Sequence, residues 1–146
     1  MSKVQIRKLT MADYDAMTRV WKLAGLPYKP KGRDSRESTA ELMAQFPDFY
    51  LGAFHEDKLV GIVIASCENR MKGWINRLAV DPAYQRHGIA EQLVKKAEET
   101  LKKHRAKVIC ALIELPNDAS VGLFEKMGYK LHRDILYVTK RESPDA

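Results

Sequence analysis

The sequence predicts one mixed α/β domain spanning residues 1–146, and three observations carry that prediction. Strand-like runs such as KLVGIVIASC are interleaved with helical stripes such as Ile89, Leu93, Val94, Ala97 and Leu101. Glycine, proline and polar clusters punctuate the chain between those runs, with no repeat or linker among them. At 146 residues the chain is long enough to bury a core without disulfides or a metal.

The elements follow in order. VQIRKL (residues 4–9) alternates apolar and charged residues, as a half-buried strand does. Thr10 and Asp13 then make a capping-box-like start to a helix whose apolar face is Met17, Val20, Trp21 and Ala24, ending near Gly25 and Pro27. PYKPKGRDSRES (residues 27–38) reads as a basic loop before a second helix over residues 39–45. FYLGAFH (49–55) and KLVGIVIASC (58–67) are strands joined at Glu56 and Asp57, a hairpin signal. GWINRLAV (73–80) is a strand stopped by Asp81 and Pro82.

The most regular helix begins after Gly88, with lysines and glutamates filling the face opposite its apolar stripe. AKVICALIEL (106–115) is near-continuously apolar and predicts a buried strand broken by Pro116. Asn117 caps a short helix with Val121, Phe124 and Met127 on one face, and Gly128 ends it. DILYVTKR (134–141) predicts a closing strand before the tail ESPDA.

Composition bounds the function classes. Lys plus Arg exceed Asp plus Glu by 25 to 19, but the lysines are spread along the chain and the aromatics fall at core positions, so a nucleic-acid partner is not expected. The longest apolar run, LVGIVIA, is too short for a membrane span, and no signal-peptide pattern opens the chain, so the cytoplasm is the default. Cys67 and Cys110 lack metal-ligand spacing and sit in apolar runs, which predicts buried free thiols and no metal.

The order strand, glycine-containing loop and helix across residues 74–101 is the arrangement that binds anions. The first N–H groups of a helix lack intrahelical acceptors, and the helix dipole adds positive charge there. Gly88 and the small Ala90 leave the backbone approachable; the competing reading of YQRHG is a solvated turn. Walker A and dinucleotide glycine patterns are absent.

Gln85-Arg86-His87-Gly88-Ile89-Ala90 resembles the Q/R-x-x-G-x-G/A acetyl-CoA motif of the GNAT superfamily of N-acetyltransferases, as do the preceding LAVDPxY at residues 78–84 and NDASVGLFEKMGY at residues 117–129. The resemblance is strongest over residues 59–137. It implies a single GNAT-type α/β (α+β) domain, with a mixed and mostly antiparallel central sheet of about six to seven strands flanked by about four helices.

It further implies that the backbone of Leu78, Ala79 and Val80 holds the pantetheine arm and that the motif from Gln85 through Arg86, His87, Gly88, Ile89 and Ala90 cradles the pyrophosphate. Asn117 would touch the pantetheine or serve as a plain cap, and Ser120 and Phe124 would line the thioester end. Acetyl-CoA is the implied co-substrate and an amine of a small molecule or protein the implied acceptor. Members of the family commonly dimerise, which leaves both a monomer and a homodimer open.

The chain departs from the family at its proton-handling positions. Trp74 and Asn76 stand where Glu or His is frequent, and Phe124 stands where tyrosine often acts as general acid. Glu114, on one strand face with Cys110 and Leu112, is the candidate base if burial raises its pKa; the alternative is a structural carboxylate. Asn76 is a second catalytic candidate, and Tyr129 and Tyr137 are candidate acids or core aromatics. On the acceptor side the candidates are Tyr28, Arg33, Asp34 and Trp74, against a loop that merely carries charge. The missing tyrosine and base also fit a CoA-binding module without catalysis.

Overall fold

The computed structural model describes residues 3–146. It forms a five-stranded sheet in the order β1-β2-β3-β4-β5, with β1 Gln5–Lys8, β2 Tyr50–His55, β3 Lys58–Glu68, β4 Lys72–Val80 and β5 Val108–Ala111. Neighbours are antiparallel except β4 and β5, which run parallel. Four helices accompany it: α1 Tyr14–Leu23, α2 Arg36–Gln45, α3 Ile89–Lys103 and α4 Asp118–Lys126.

Local chemistry explains most boundaries. Asp13 accepts a hydrogen bond from the Thr10 amide at 2.9 Å, and after a one-turn 3-10 helix α1 buries Tyr14, Met17, Val20 and Trp21. Glu56 and Asp57 both take positive φ (48° and 67°), the conformation a two-residue hairpin turn needs. α2 starts earlier than its apolar pattern suggests, because the Ser35 hydroxyl caps it by accepting from the Ser38 amide at 3.0 Å.

The core lies between the sheet and its helices. Leu93, Val94, Ala97 and Leu101 of α3 are fully buried, and the helix approaches closely over two strand glycines. A Cβ at Gly61 would stand 2.9 Å from the Leu93 side chain, and one at Gly73 would stand 3.0 Å from that of Leu101, so a side chain at either position would force those leucine tips to shift.

Three expectations need correction. The run 106–115 pairs in the sheet only over Val108–Ala111; beyond it the chain leaves β4, and Leu112 and Leu115 are exposed. The cause lies in β4. Ile62 and Ile64 face Ala79 and Asn76, so β4 carries one extra residue there, and Arg77 takes φ 53°. Such a bulge bends and twists the strand away from its neighbour.

The segment DILYVTKR joins no sheet among the described residues, which leaves five strands rather than about six to seven. Ile135, Leu136, Tyr137 and Val138 are 67–87% exposed. The chain instead runs toward the α1–α2 loop, where the Lys29 ammonium donates to the Pro144 carbonyl at 2.7 Å. Cys67 and Cys110 are unpaired and half-buried, less enclosed than their apolar runs suggest.

Candidate functional site

The bulge in β4 makes a cleft. β5 accompanies β4 only from Lys72 to Ile75, while β4 continues to Val80 and α4 crosses beyond. The opening between them has a volume of about 440 Å³ and is lined by the end of β4, the start of α3, one side of α4, and Ala24 and Leu26 at the end of α1.

The turn between β4 and α3 is firmly held. Asp81 is buried; it accepts from the Ala83 amide at 3.0 Å, pairs with Arg19 at 3.4 Å, and donates its own amide to the Val60 carbonyl at 2.8 Å. The chain then passes through Arg86 (φ 67°) and Gly88 (φ 76°), both left-handed, into α3. Such turns gather successive N–H groups into a concavity that suits anions, and the start of a 15-residue helix adds its dipole. A Cβ at Gly88 would meet no protein atom within 4 Å, so the space beside it is free for a ligand.

Across the cleft, Asn117 caps α4 by accepting from the Ser120 amide at 3.2 Å. Glu91 of α3 pairs with Lys126 of α4 at 3.5 Å and lies 3.9 Å from Lys95, so one carboxylate ties the two walls together.

Of the residues assigned from the motif, Leu78, Ala79, Val80, Gln85, Arg86, Gly88, Ile89, Ala90, Asn117 and Ser120 line this cleft. His87 is exposed outside it. Phe124 is buried with its ring edge-on to Tyr129 at 4.9 Å, and it borders a different groove beside β5. Sequence reasoning missed Ala24, Leu26, Tyr84, Glu91, Ala119, Leu123 and Lys126. Leu123 and Lys126 follow Ser120 at helical spacing and were findable; Ala24 and Leu26 arrive through tertiary packing alone.

The candidate proton-handling groups are scattered. Glu114 lies past the end of β5 and is exposed, so the burial its role required is missing. Tyr129 donates its hydroxyl to Glu98 at 2.6 Å and borders the groove beside β5; burial, then the Glu98 bond, raise its pKa and make it a poor acid. Tyr137 is 67% exposed. Asn76 is half-buried and donates to the Ser66 hydroxyl at 3.3 Å.

On the loop side, Asp34 is engaged rather than offered to a ligand. Its carboxylate meets Arg77 at 3.2 Å and the Lys29 amide at 2.9 Å, and its carbonyl accepts from Tyr14 at 2.5 Å. Tyr28 reaches the Tyr14 hydroxyl at 3.3 Å, and the Tyr14 pKa is pushed up to about 12 by burial and by that contact. Arg33 is exposed, and Trp74 carries the Lys72 ammonium 5.0 Å above its ring. No cluster of three or more His, Cys, Asp or Glu side chains suited to a metal occurs among the described residues.

Comparison with known proteins bears on the family and the fold. The chain is 25% identical to the acetyltransferase SG1711 of Sodalis glossinidius over 94% of this chain and 95% of that protein. It is 28% identical to N-alpha-acetyltransferase 30 of Schizosaccharomyces pombe, over 58% of this chain and only 59% of that protein. In fold it resembles the PaiA N-acetyltransferase of Thermoplasma acidophilum, solved with coenzyme A, with a TM-score of 0.77 and 23% identity over 90% and 92% of the two chains. The model of the GNAT acetyltransferase family matches residues 12–129, and the chain therefore belongs to that family of acyltransferases, whose co-substrate is acetyl-CoA.

Proposed function

We propose that this chain transfers the acetyl group of acetyl-CoA to a primary amine by direct attack within a ternary complex. The observation that carries the reading is the cleft itself: a β4 end that keeps β3 on one edge and has no strand partner on its β5 side, a left-handed Gly88 with open space beside it, and the bare start of α3 facing one another. These residues fit the cofactor. The β4 backbone at Leu78, Ala79 and Val80 would receive the pantetheine as a strand receives its neighbour, and the amides from Arg86 to Ala90 would receive the pyrophosphate.

The thioester supplies an already activated acetyl group, so the chain has three remaining tasks: to hold the amine against it, to let a proton leave, and to steady the developing oxyanion and the leaving thiolate. An alkyl ammonium has a pKa near 10.4, so the proton must leave before attack. With Glu114 exposed and Tyr129 committed to Glu98, we assign Asn76 a positioning role for the amine or a water, and the proton a solvent route. Neither cysteine lines the cleft, which favours direct transfer over an acetylated enzyme.

The test is incubation with acetyl-CoA and a broad amine panel while free thiol is followed. Amine-dependent thiol release is the expected result. Intact CoA binding with no turnover on any amine would sink the enzyme reading and favour a non-catalytic CoA-binding module, to which the scattered proton donors already point. The proposal treats residues 1–146 as one functional unit. It places the protein in the cytoplasm, in keeping with unpaired thiols, and pairs two copies through the exposed apolar strip Ile135, Leu136, Tyr137 and Val138.

A further inference from the structure

Arg77 is a charged side chain inside the molecule, and its contacts run away from the cleft. Its backbone sits in the β4 bulge with φ 53°, immediately before the cleft-lining Leu78. Its side chain is 17% exposed and turns to the loop between α1 and α2. One guanidinium nitrogen donates to the Pro27 carbonyl at 2.6 Å, the other meets Asp34 at 3.2 Å, and the plane lies 4.6 Å from the centre of the Trp21 ring.

Removing a guanidinium from water is costly, and the Nε has no hydrogen-bond partner. Burial pulls the Arg77 pKa down and Asp34 pushes it back up. A core wanting only stability would put an apolar residue here. The arrangement makes sense as a fixture of position: the fork has two directions, and each reaches a different point of the loop, Pro27 at its start and Asp34 at its end. Asp34 passes the constraint on by accepting the Lys29 amide at 2.9 Å.

We infer that Arg77 is a positioning residue that fixes residues 27–34 against the bulged edge of β4, so that the distortion opening the donor cleft also sets where the acceptor is presented. The acceptor half of this inference rests on the transferase reading above; the loop half does not.

The test uses R77K, which keeps the charge and loses the fork, and D34N, which keeps the shape and loses the partner charge. Limited trypsin digestion mapped by mass spectrometry reads the loop through Lys31 and Arg33, with Lys102 and Lys103 on α3 as internal reference. Both variants are expected to bind coenzyme A with wild-type affinity and to be cut at Lys31, and R77K also at Arg33, about tenfold faster, the factor that loss of one charge-assisted hydrogen bond carries. On whichever amine the wild type acetylates, KM for the amine is expected to rise by about the same factor while kcat stays within about twofold.

Unchanged loop cleavage in both variants, or cleavage raised equally at Lys102 and Lys103, would overturn the inference, the second by showing a general stabilising pair. A KM unmoved alongside faster loop cleavage would overturn its acceptor half. If the wild type turns over no amine, the transferase reading fails by itself, and the loop cleavage still decides the role of Arg77.

Discussion

Gly88→Ala separates what the backbone needs from what a ligand needs. Gly88 has φ 76°, and a Cβ there meets no protein atom within 4 Å, so the free protein bears only the left-handed strain, about 1–2 kcal/mol. For a chain of this size that lowers Tm by roughly 3 to 8 °C. Gly128 is a matched control: its φ is 92°, its Cβ would also meet nothing within 4 Å, and it borders the other groove.

Gly88→Ala and Gly128→Ala should therefore lose similar stability in thermal denaturation. They should part in calorimetric titration with coenzyme A. The new methyl at position 88 projects into the space we assign to the pyrophosphate, and Kd should rise at least about tenfold, or about 1.4 kcal/mol. Gly88→Glu adds like charge and should abolish binding. Equal coenzyme A affinity in the two alanine variants would refute the reasoning, because the open space beside Gly88 would then have no occupant.

Three further outcomes are expected. Asn117→Ala removes the α4 cap and should cost about 1 kcal/mol in denaturant unfolding, with weaker coenzyme A binding because the α4 wall frays. The Tyr129 pKa is raised in the folded state above its usual 10.0, so its contribution is complete below pH 10 and declines as pH climbs above it. Stability of Tyr129→Phe should accordingly fall less steeply than that of wild type between pH 10 and 12, and equal slopes would contradict this. Leu136→Lys, at a side chain 87% exposed, should convert a species of twice the 16.7 kDa chain mass to monomer in light scattering, and a wild-type monomer would remove the proposed pairing.

What was legible in the sequence was whatever short-range chemistry decides. The Thr10 and Asp13 cap, the Glu56 and Asp57 turn, the α3 stripe and the Gly88 loop all depend on neighbours within a few residues, and each stands where its pattern put it. The run 106–115 misled because its apolar content says that it wants burial and nothing about when its partner turns away; the β4 bulge, which ends the pairing, has no local signature around Arg77. Asp34 and Glu114 failed for a related reason. Whether a carboxylate is sealed by Arg77 or left in solvent is a fact of tertiary structure, and the sequence offers only the carboxylate.

The shortness of β5 has a kinetic consequence. Four residue pairs hold it to β4, and across the cleft an ion pair between the exposed Lys126 and the half-buried Glu91 helps close the seam with α3. A unit so lightly fastened opens before the rest of the molecule does, so α4 amides should exchange with solvent ahead of those in the buried half of α3. Salt screens an ion pair with an exposed partner, so escape of the spent donor along that seam should quicken as ionic strength rises.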